Sequence, residues 1–423
     1  MSQTMMDKEL ENAQDVPEQG LGASAREYVA RIRGGDVGPL PAILGLVALL
    51  TVFASLRPET FTNPFNFANL LIQSAAVIVI AMGLVFVLLI GEIDLSAGWT
   101  AGVSGAMLGI ASGSSKWGWS WWVAVLVCLL TGAVIGAIIG LLVARVGIPS
   151  FVVTLAMFLA LQGVLLQLIG EGGTIPIESE TLLGVMRNTL SVQWGWALFV
   201  AIVALYAGVT YRQMATRRSK GLVTQSVTVW FVKIASLALL LGLCTYYLNL
   251  ERSRNPTITS IIGVPVAIPV LLAMLLVLTF LLNRTTFGRH VYAVGGNAEA
   301  ARRAGINVAF IRLMCFVICS TVAAIAGILL ASRVNSVTPN TGGGETLLFA
   351  VGAAVIGGTS LFGGKGRPVD AIIGGLVVAV VANGMGLLNQ PAAVVYMVTG
   401  LVLLLAAGVD ALSRRRATAT GRA

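Results

Sequence analysis

Charge is scarce in this sequence. Of its 423 residues, 11% are Asp, Glu, Lys or Arg and 57% are hydrophobic, with a mean hydropathy of +0.90. A soluble domain carries about 25% charge. The charges present are also bunched at the ends: residues 1–36 hold eleven and Asp410 onward five, leaving 29 for the 373 residues between. No soluble core can hide that much apolar surface, which excludes a soluble enzyme, a fibre and a disordered chain. The sequence reads as a polytopic membrane protein.

Histidine is nearly absent too, with His290 alone in a polar connector. No HExxH, paired aspartates or Ser/His arrangement lies in the apolar runs, which argues against a membrane-embedded enzyme. The four cysteines, Cys128, Cys244, Cys315 and Cys319, all sit in apolar stretches and read as small packing residues rather than metal ligands or a disulfide framework. No metal, cofactor or catalytic residue is expected. The net charge of +9 comes from Lys and Arg dispersed in short connectors, not a stripe, which excludes nucleic acid as a partner.

What is there in quantity is long apolar runs. A membrane span needs about 20 apolar residues. Candidate spans lie near 40–56, 70–90, 97–112, 121–144, 150–169, 194–211, 224–248, 264–283, 311–331, 346–357, 369–388 and 391–409. The count is twelve, or ten full spans if the short runs at 97–112 and 346–357 are broken or re-entrant helices. With both termini cytoplasmic, twelve spans put 20 Lys/Arg inside and six outside, the bias that the positive-inside rule asks for. Lys233 falls within a run and reads as a snorkelling side chain near a helix end. The expected fold is thus an all-α transmembrane bundle over 37–409, between a polar cytoplasmic tail (1–36) and a basic one (410–423). The first tail has no apolar segment before Leu40, so no signal peptide is read there, and its stretch Ala23–Arg33 has the pattern of a short surface helix. Gly132, Gly136 and Gly140, and again Gly105 and Gly109, have the small-residue spacing that lets helices approach closely in lipid.

Three stretches break the apolar pattern. GEIDLSAG, Gly91–Gly98, puts Glu92 and Asp94 between two apolar runs, where a carboxylate costs about 2.5–3.5 kcal/mol at mid-membrane. These acids read either as part of a hairpin or helix break, or as contacts on a translocation path. The connector 284–312 contains GGNAEAARRAGIN. There Asn297 suits an N-cap, Glu299 the positive helix end, the alanines a helix, and Gly305 a left-handed close. That predicts a two-turn helix outside the bilayer, which either docks in a groove of another protein or only connects spans. The third stretch, Ser332–Arg367, carries Asn335, Thr338, Asn340, Thr341 and Glu345 beside Gly342–Gly344, a pattern for irregular backbone that lines a cavity. Its GGTSLFGGKGR has the wrong spacing for a phosphate loop, since Lys365 is followed by Gly366.

These three stretches together resemble the permease subunits of bacterial sugar ABC importers of the ribose/xylose/arabinose type. GEIDLSAG is similar to that family's GGIDLSVG, and Glu299-Ala300-Ala301 with Gly305 fits its EAA-x-x-x-G pattern. SRVNSVTPNTGGGETLLFAVGAAVIGGTSLFGGKGR is similar to its long C-terminal motif. Glu92 departs from the family, which usually has Gly there. Residues 212–263 look like an added pair of spans relative to ribose-type members, and resemble the longer xylose-type permeases. The resemblance implies a permease in the bacterial cell membrane that imports a sugar, a pentose such as xylose. It implies two permease copies, cytosolic ATPase subunits and an extracytoplasmic sugar-binding protein as partners. It also implies ATPase coupling through Glu299, Ala300, Ala301, Arg302 and Gly305. The polar stretches themselves offer Glu92, Asp94, Asn335, Thr338, Asn340 and Glu345 as candidates for the path. An ion-coupled secondary transporter of small polar solutes is the alternative, and Glu92, Asp94 and Glu345 would be its only candidate intramembrane acids.

Overall fold

Twelve apolar runs in the sequence become twelve apolar helices in the computed structural model, which describes residues 18–19, 22, 26, 30, 38–170, 173–222, 224–253 and 255–419. The helices are α1 (Leu40–Leu56), α2 (Pro58–Phe61), α3 (Pro64–Leu89), α4 (Ala97–Ser112), α5 (Trp121–Leu141), α6 (Ser150–Ile169), α7 (Glu180–Arg187), α8 (Val192–Ser219) and α9 (Val227–Leu248). They continue with α10 (Ala267–Arg284), α11 (Thr286–Gly296), α12 (Ala298–Arg303), α13 (Val308–Val334), α14 (Gly344–Ile356), α15 (Pro368–Leu387) and α16 (Ala392–Ala419). Four of these, α2, α7, α11 and α12, are connectors that no apolar run predicts. A π-helical turn, Leu142–Val146, ends α5 before Gly147 turns left-handed at φ +84°. The only strands among the described residues are two-residue pairs: β1 (Glu18–Gln19) with β3 (Thr224–Gln225), and β2 (Ile175–Pro176) with β4 (Ser336–Val337). The surface helix expected at Ala23–Arg33, most of the N-terminal tail and the side chains of the C-terminal tail lie outside the described residues.

Among the described residues, eight helices are long and apolar enough to cross a membrane: α3, α5 with its π turn, α6, α8, α9, α10, α13 and α15. The remaining apolar helices, α1, α4, α14 and the apolar part of α16, are shorter. At 1.5 Å per residue, the 13 residues of α14 reach about 20 Å, too short for a hydrocarbon core of about 30 Å. The chain therefore does contain the partial helix that the short run at 346–357 suggests.

The described residues form two units. The smaller contains Leu190–Val264, where α8 packs on α9; only 6% of each helix's most apolar window is buried, so nearly all of both surfaces is free to face lipid. Its loop after α9 is held by Glu251, whose carboxylate accepts from the amides of Arg252, Ser253 and Ile261 and from Ser260 Oγ. Those donors hold the Glu251 carboxyl down to about 2. Arg252 folds back to donate to the carbonyls of Ile261 and Gly263.

The larger unit, Gly38–Thr189 with Pro265–Leu412, is built around α3. Nearly every α3 residue from Ser74 to Leu89 is buried, enclosed by α13, α14 and α15. The glycine stripe of α5 finds its partner in α13. A methyl group on Gly132 would stand 2.5 Å from the carbonyl of Ser320, one on Gly136 2.6 Å from that of Phe316, and one on Gly140 2.9 Å from Leu313 Cα. No real Cβ fits there, so the two backbones touch, as small-residue spacing allows in lipid. The glycines of α4 likewise let it press on α13 at Gly327 and on the irregular segment 341–343.

Candidate functional site

The three polar stretches, far apart in sequence, divide between two places in the larger unit. The first is the end of α3. Leu89 is its last residue, and its carbonyl has no partner within the helix. Gly364, from the third stretch, donates its amide to that oxygen at 2.8 Å. Gly295, at the end of α11, lies against the same oxygen so closely that any Cβ on it would collide with Leu89 O and stand 2.8 Å from Gly364 N. A Cβ on Gly363 would meet Gly295 O at 2.9 Å and Gly91 N at 3.1 Å. Tyr292, one turn before Gly295, donates its hydroxyl to Gly366 O at 2.8 Å. One carbonyl thus sits where all three motifs meet. The twelve-span count places residues 91–96, 284–310 and 358–368 on a single side of the membrane, and the structure brings those segments together. The segments which that count places on the opposite side also meet: β2 pairs with β4, and Ser114 N donates to Glu178.

From this junction the chain runs into α12. Asn297 caps it, its Oδ1 accepting from Ala300 N at 2.9 Å. It closes through Gly305 at φ +84°, with Gly305 N bonded to Arg302 O and Ile306 N to Ala301 O, the paired bonds of a Schellman motif. The helix is six residues long, rather shorter than two turns. Ala301 is buried, whereas Glu299, Ala300, Arg302 and Gly305 are exposed. Glu299 pairs with Arg302 at 3.4 Å and Arg303 at 3.2 Å, so α12 presents a cross-braced polar face and a small apolar back. Beyond it, Arg312 in the first turns of α13 pairs with Glu92 at 3.3 Å. This ion pair accounts for the carboxylate that departs from the family pattern, and it escapes sequence reading because Arg312 is one connector cation among many.

Between Leu89 and α4 the chain is irregular. Asp94 is fully buried, its Oδ1 accepting from Ser96 N (2.9 Å) and Ser96 Oγ (2.6 Å), with Cys319 alongside. The first turn of α6 clasps the same segment: Ile93 N donates to Ser150 Oγ and Thr154 Oγ1 to Ile93 O. Asp94 is therefore built into the break and shows no surface to a solute in this conformation.

The second place is the α13–α14 connection. Asn335 ends α13 in the left-handed region at φ 62°. Thr338 bonds Thr341 through its amide and its hydroxyl, and Gly342 reaches the backbone of Gly98 and Gly102. Asn340 and Glu345 are exposed, Glu345 accepting from Tyr396 OH at 3.0 Å beside an open apolar cleft of about 280 Å³ between α14 and α16. The six residues expected on a path are thus not gathered in one cavity: Glu92 and Asp94 belong to the first place, Asn335, Thr338, Asn340 and Glu345 to the second. No group of three or more His, Cys, Asp or Glu suited to a metal occurs among the described residues.

Comparison with known proteins gives concordant matches. The family described as "branched-chain amino acid transport system / permease component" matches residues 66–407. The xylose transport system permease protein XylH of Escherichia coli (strain K12) is 35% identical over 377 residues, 88% of this chain and 92% of the relative. The ribose import permease protein RbsC of Bacillus subtilis (strain 168) is 30% identical over 376 residues, covering 89% and 94%. The D-allose transport system permease protein AlsC of Escherichia coli (strain K12) is 28% identical, covering 87% and 90%. No solved structure matches the chain.

Proposed function

This chain belongs to the family of branched-chain amino acid transport system permease components, and on that premise we propose that it is the membrane-spanning subunit of an ATP-driven sugar importer, with a pentose such as xylose as cargo. It is a multi-pass protein of the bacterial cell membrane. The observation that carries the reading is the junction at Leu89 O: the three motifs of a sugar permease share one carbonyl, and a capped, exposed helix projects next to it.

The mechanism follows from what the chain has and lacks. It holds no phosphate loop, so the energy for concentrative transport enters through contact with separate ATPase subunits. Helix α12 is the contact, with Glu299, Ala300, Arg302 and Gly305 on the docking face and Ala301 seating the helix on its own chain. The side carrying α12 is cytoplasmic, as are both termini. An extracytoplasmic binding protein delivers the sugar to the opposite face. Two copies of the permease flank the path, to which Asn335, Thr338, Asn340 and Glu345 contribute. Glu92 and Asp94 brace the break between α3 and α4.

The test is to purify the chain from cells that co-express its transport partners, and to reconstitute it. An ATPase that co-purifies, with hydrolysis stimulated by sugar-loaded binding protein and uptake insensitive to an uncoupler, is the expected result. Uptake by the isolated chain that collapses with an uncoupler and ignores ATP would establish the ion-coupled alternative instead.

A further inference from the structure

Helix α12 is tied to the α3–α4 break at both of its ends. Before it, α11 ends on Leu89 O through Gly295, with Tyr292 bonded to Gly366 O behind it. After it, Arg312 of α13 holds Glu92, three residues beyond that carbonyl. Between the ties lie Gly296, Asn297, α12, a short turn and the first turn of α13, a stretch that the Asn297 cap and the Gly305 close make stiff. A push on α12 therefore has no slack to dissipate in. It is delivered to residues 89–92, the point where α3 stops and the chain turns into the irregular segment before α4.

We propose that Gly295 and the Glu92–Arg312 ion pair are positioning residues that transmit the movement of α12 to this break, so that they set how much sugar is carried for each ATP spent. The proposal rests on the reading of α12 as the ATPase contact. None of the three residues lies within α12. Gly295 works by close approach: with no side chain, its backbone can ride on Leu89 O and Gly364 N, and a methyl group would prise the two segments apart. Glu92 and Arg312 work by attraction in a half-buried setting, where the pair is screened less than on an open surface.

The neighbouring glycine supplies the control. Gly296 ends the same helix, yet a Cβ added there meets no atom within 4 Å. Gly295→Ala and Gly296→Ala therefore make the same chemical change one residue apart, and only the first disturbs the junction. Each variant is reconstituted with its co-expressed ATPase and sugar-loaded binding protein, and both ATP turnover and sugar uptake are measured. Gly295→Ala is expected to retain the ATPase and turn over ATP within about twofold of wild type while carrying about tenfold less sugar per ATP, because an ångström-scale misplacement remote from the chemistry suffices for such losses. Gly296→Ala is expected to match wild type.

A second arm covers the case in which Gly295→Ala does not insert. Arg312→Glu is expected to lower sugar carried per ATP, and the charge exchange Glu92→Arg with Arg312→Glu to restore it. Wild-type sugar per ATP in Arg312→Glu, or in a Gly295→Ala that inserts, would overturn the proposal. So would parallel loss of ATP turnover and uptake, which would mean that these residues only help α12 dock. A wild-type chain that retains no ATPase would instead overturn the function proposed above, and this linkage with it.

Discussion

Asn66 and Asn383 exchange both of their side-chain amide hydrogen bonds, Asn66 Nδ2 to Asn383 Oδ1 at 3.0 Å and Asn383 Nδ2 to Asn66 Oδ1 at 2.9 Å. Both are buried, and Asn66 Nδ2 also reaches Phe61 O. The pair clamps the start of α3 to the end of α15, adding a polar tie to two helices that otherwise meet through apolar packing.

Breaking that pair at Asn383 leaves Asn66 Oδ1 buried without its donor, although Asn66 Nδ2 keeps Phe61 O. Asn383→Leu is expected to cost about 1–3 kcal/mol, since a buried polar group left without a partner bears its full desolvation penalty. The double variant Asn66→Leu with Asn383→Leu is expected to lose less than the sum of the two singles. Thermal unfolding in detergent of the four proteins measures the coupling.

The glycine stripe of α5 makes a sharper expectation. Gly136→Ala places a methyl group 2.6 Å from Phe316 O and 2.7 Å from Val317 Cα, between two backbones that have no flexible end to move aside. A loss of about 1–3 kcal/mol is expected from such overpacking. Gly163→Ala, in α6 with no atom within 4 Å of the added carbon, is expected to leave the unfolding midpoint where it was.

Changes to α12 are expected to separate insertion from work. Gly305→Pro cannot adopt φ +84° and removes the amide that bonds Arg302 O, so it opens the helix close. Glu299→Lys reverses the centre of the Glu299–Arg302–Arg303 brace and sets three cations side by side. Each variant is expected to reach the membrane at normal levels and to lose ATP-dependent sugar uptake. Uptake in vesicles, normalised to immunodetected protein, checks it.

The loop held by Glu251 carries its own pH signature. The carboxyl lies at about 2 in the folded chain against an ordinary 4.5, so the ionised form is the one the loop stabilises. That contribution is complete above about pH 4.5 and declines as pH falls toward 2. Amide exchange at Ser253 and Ile261, both donors to Glu251, is expected to stay slow until that window and accelerate within it. Glu251→Gln is expected to abolish the dependence.

What was legible in the sequence is what local chemistry decides. The caps of α12 could be read because Asn297 and Gly305 act on backbone within a few residues of themselves. The apolar runs gave the helices, since in lipid every backbone group must be satisfied within its own segment. The GxxxGxxxG spacing announced a close contact but not its partner, because packing alone chooses α13. Pairings across the bundle were out of reach: nothing near Glu92 names Arg312, and nothing near Gly295 shows that its neighbour is Leu89 O. The depth of the 338–343 segment was equally hidden, for it depends on Gly98 and Gly102 being narrow enough to admit it. The resemblance placed an added pair of spans at 212–263, whereas that stretch holds one long apolar helix, α9, and the helix that packs along it, α8, already begins at Val192.

The ends of the 190–264 excursion have an evolutionary corollary. Thr189 and Pro265 pair as a β-bridge within the larger unit, Asn188 O accepts from Val266 N, and one residue further on Leu190 N reaches Val264 O. The chain thus leaves and returns through a single doorway, having made two crossings in between. An excursion with adjoining ends and an even number of passes can be spliced in or out without inverting anything downstream. A lineage can gain or shed that hairpin as a cassette, and the helices after it keep their original sidedness.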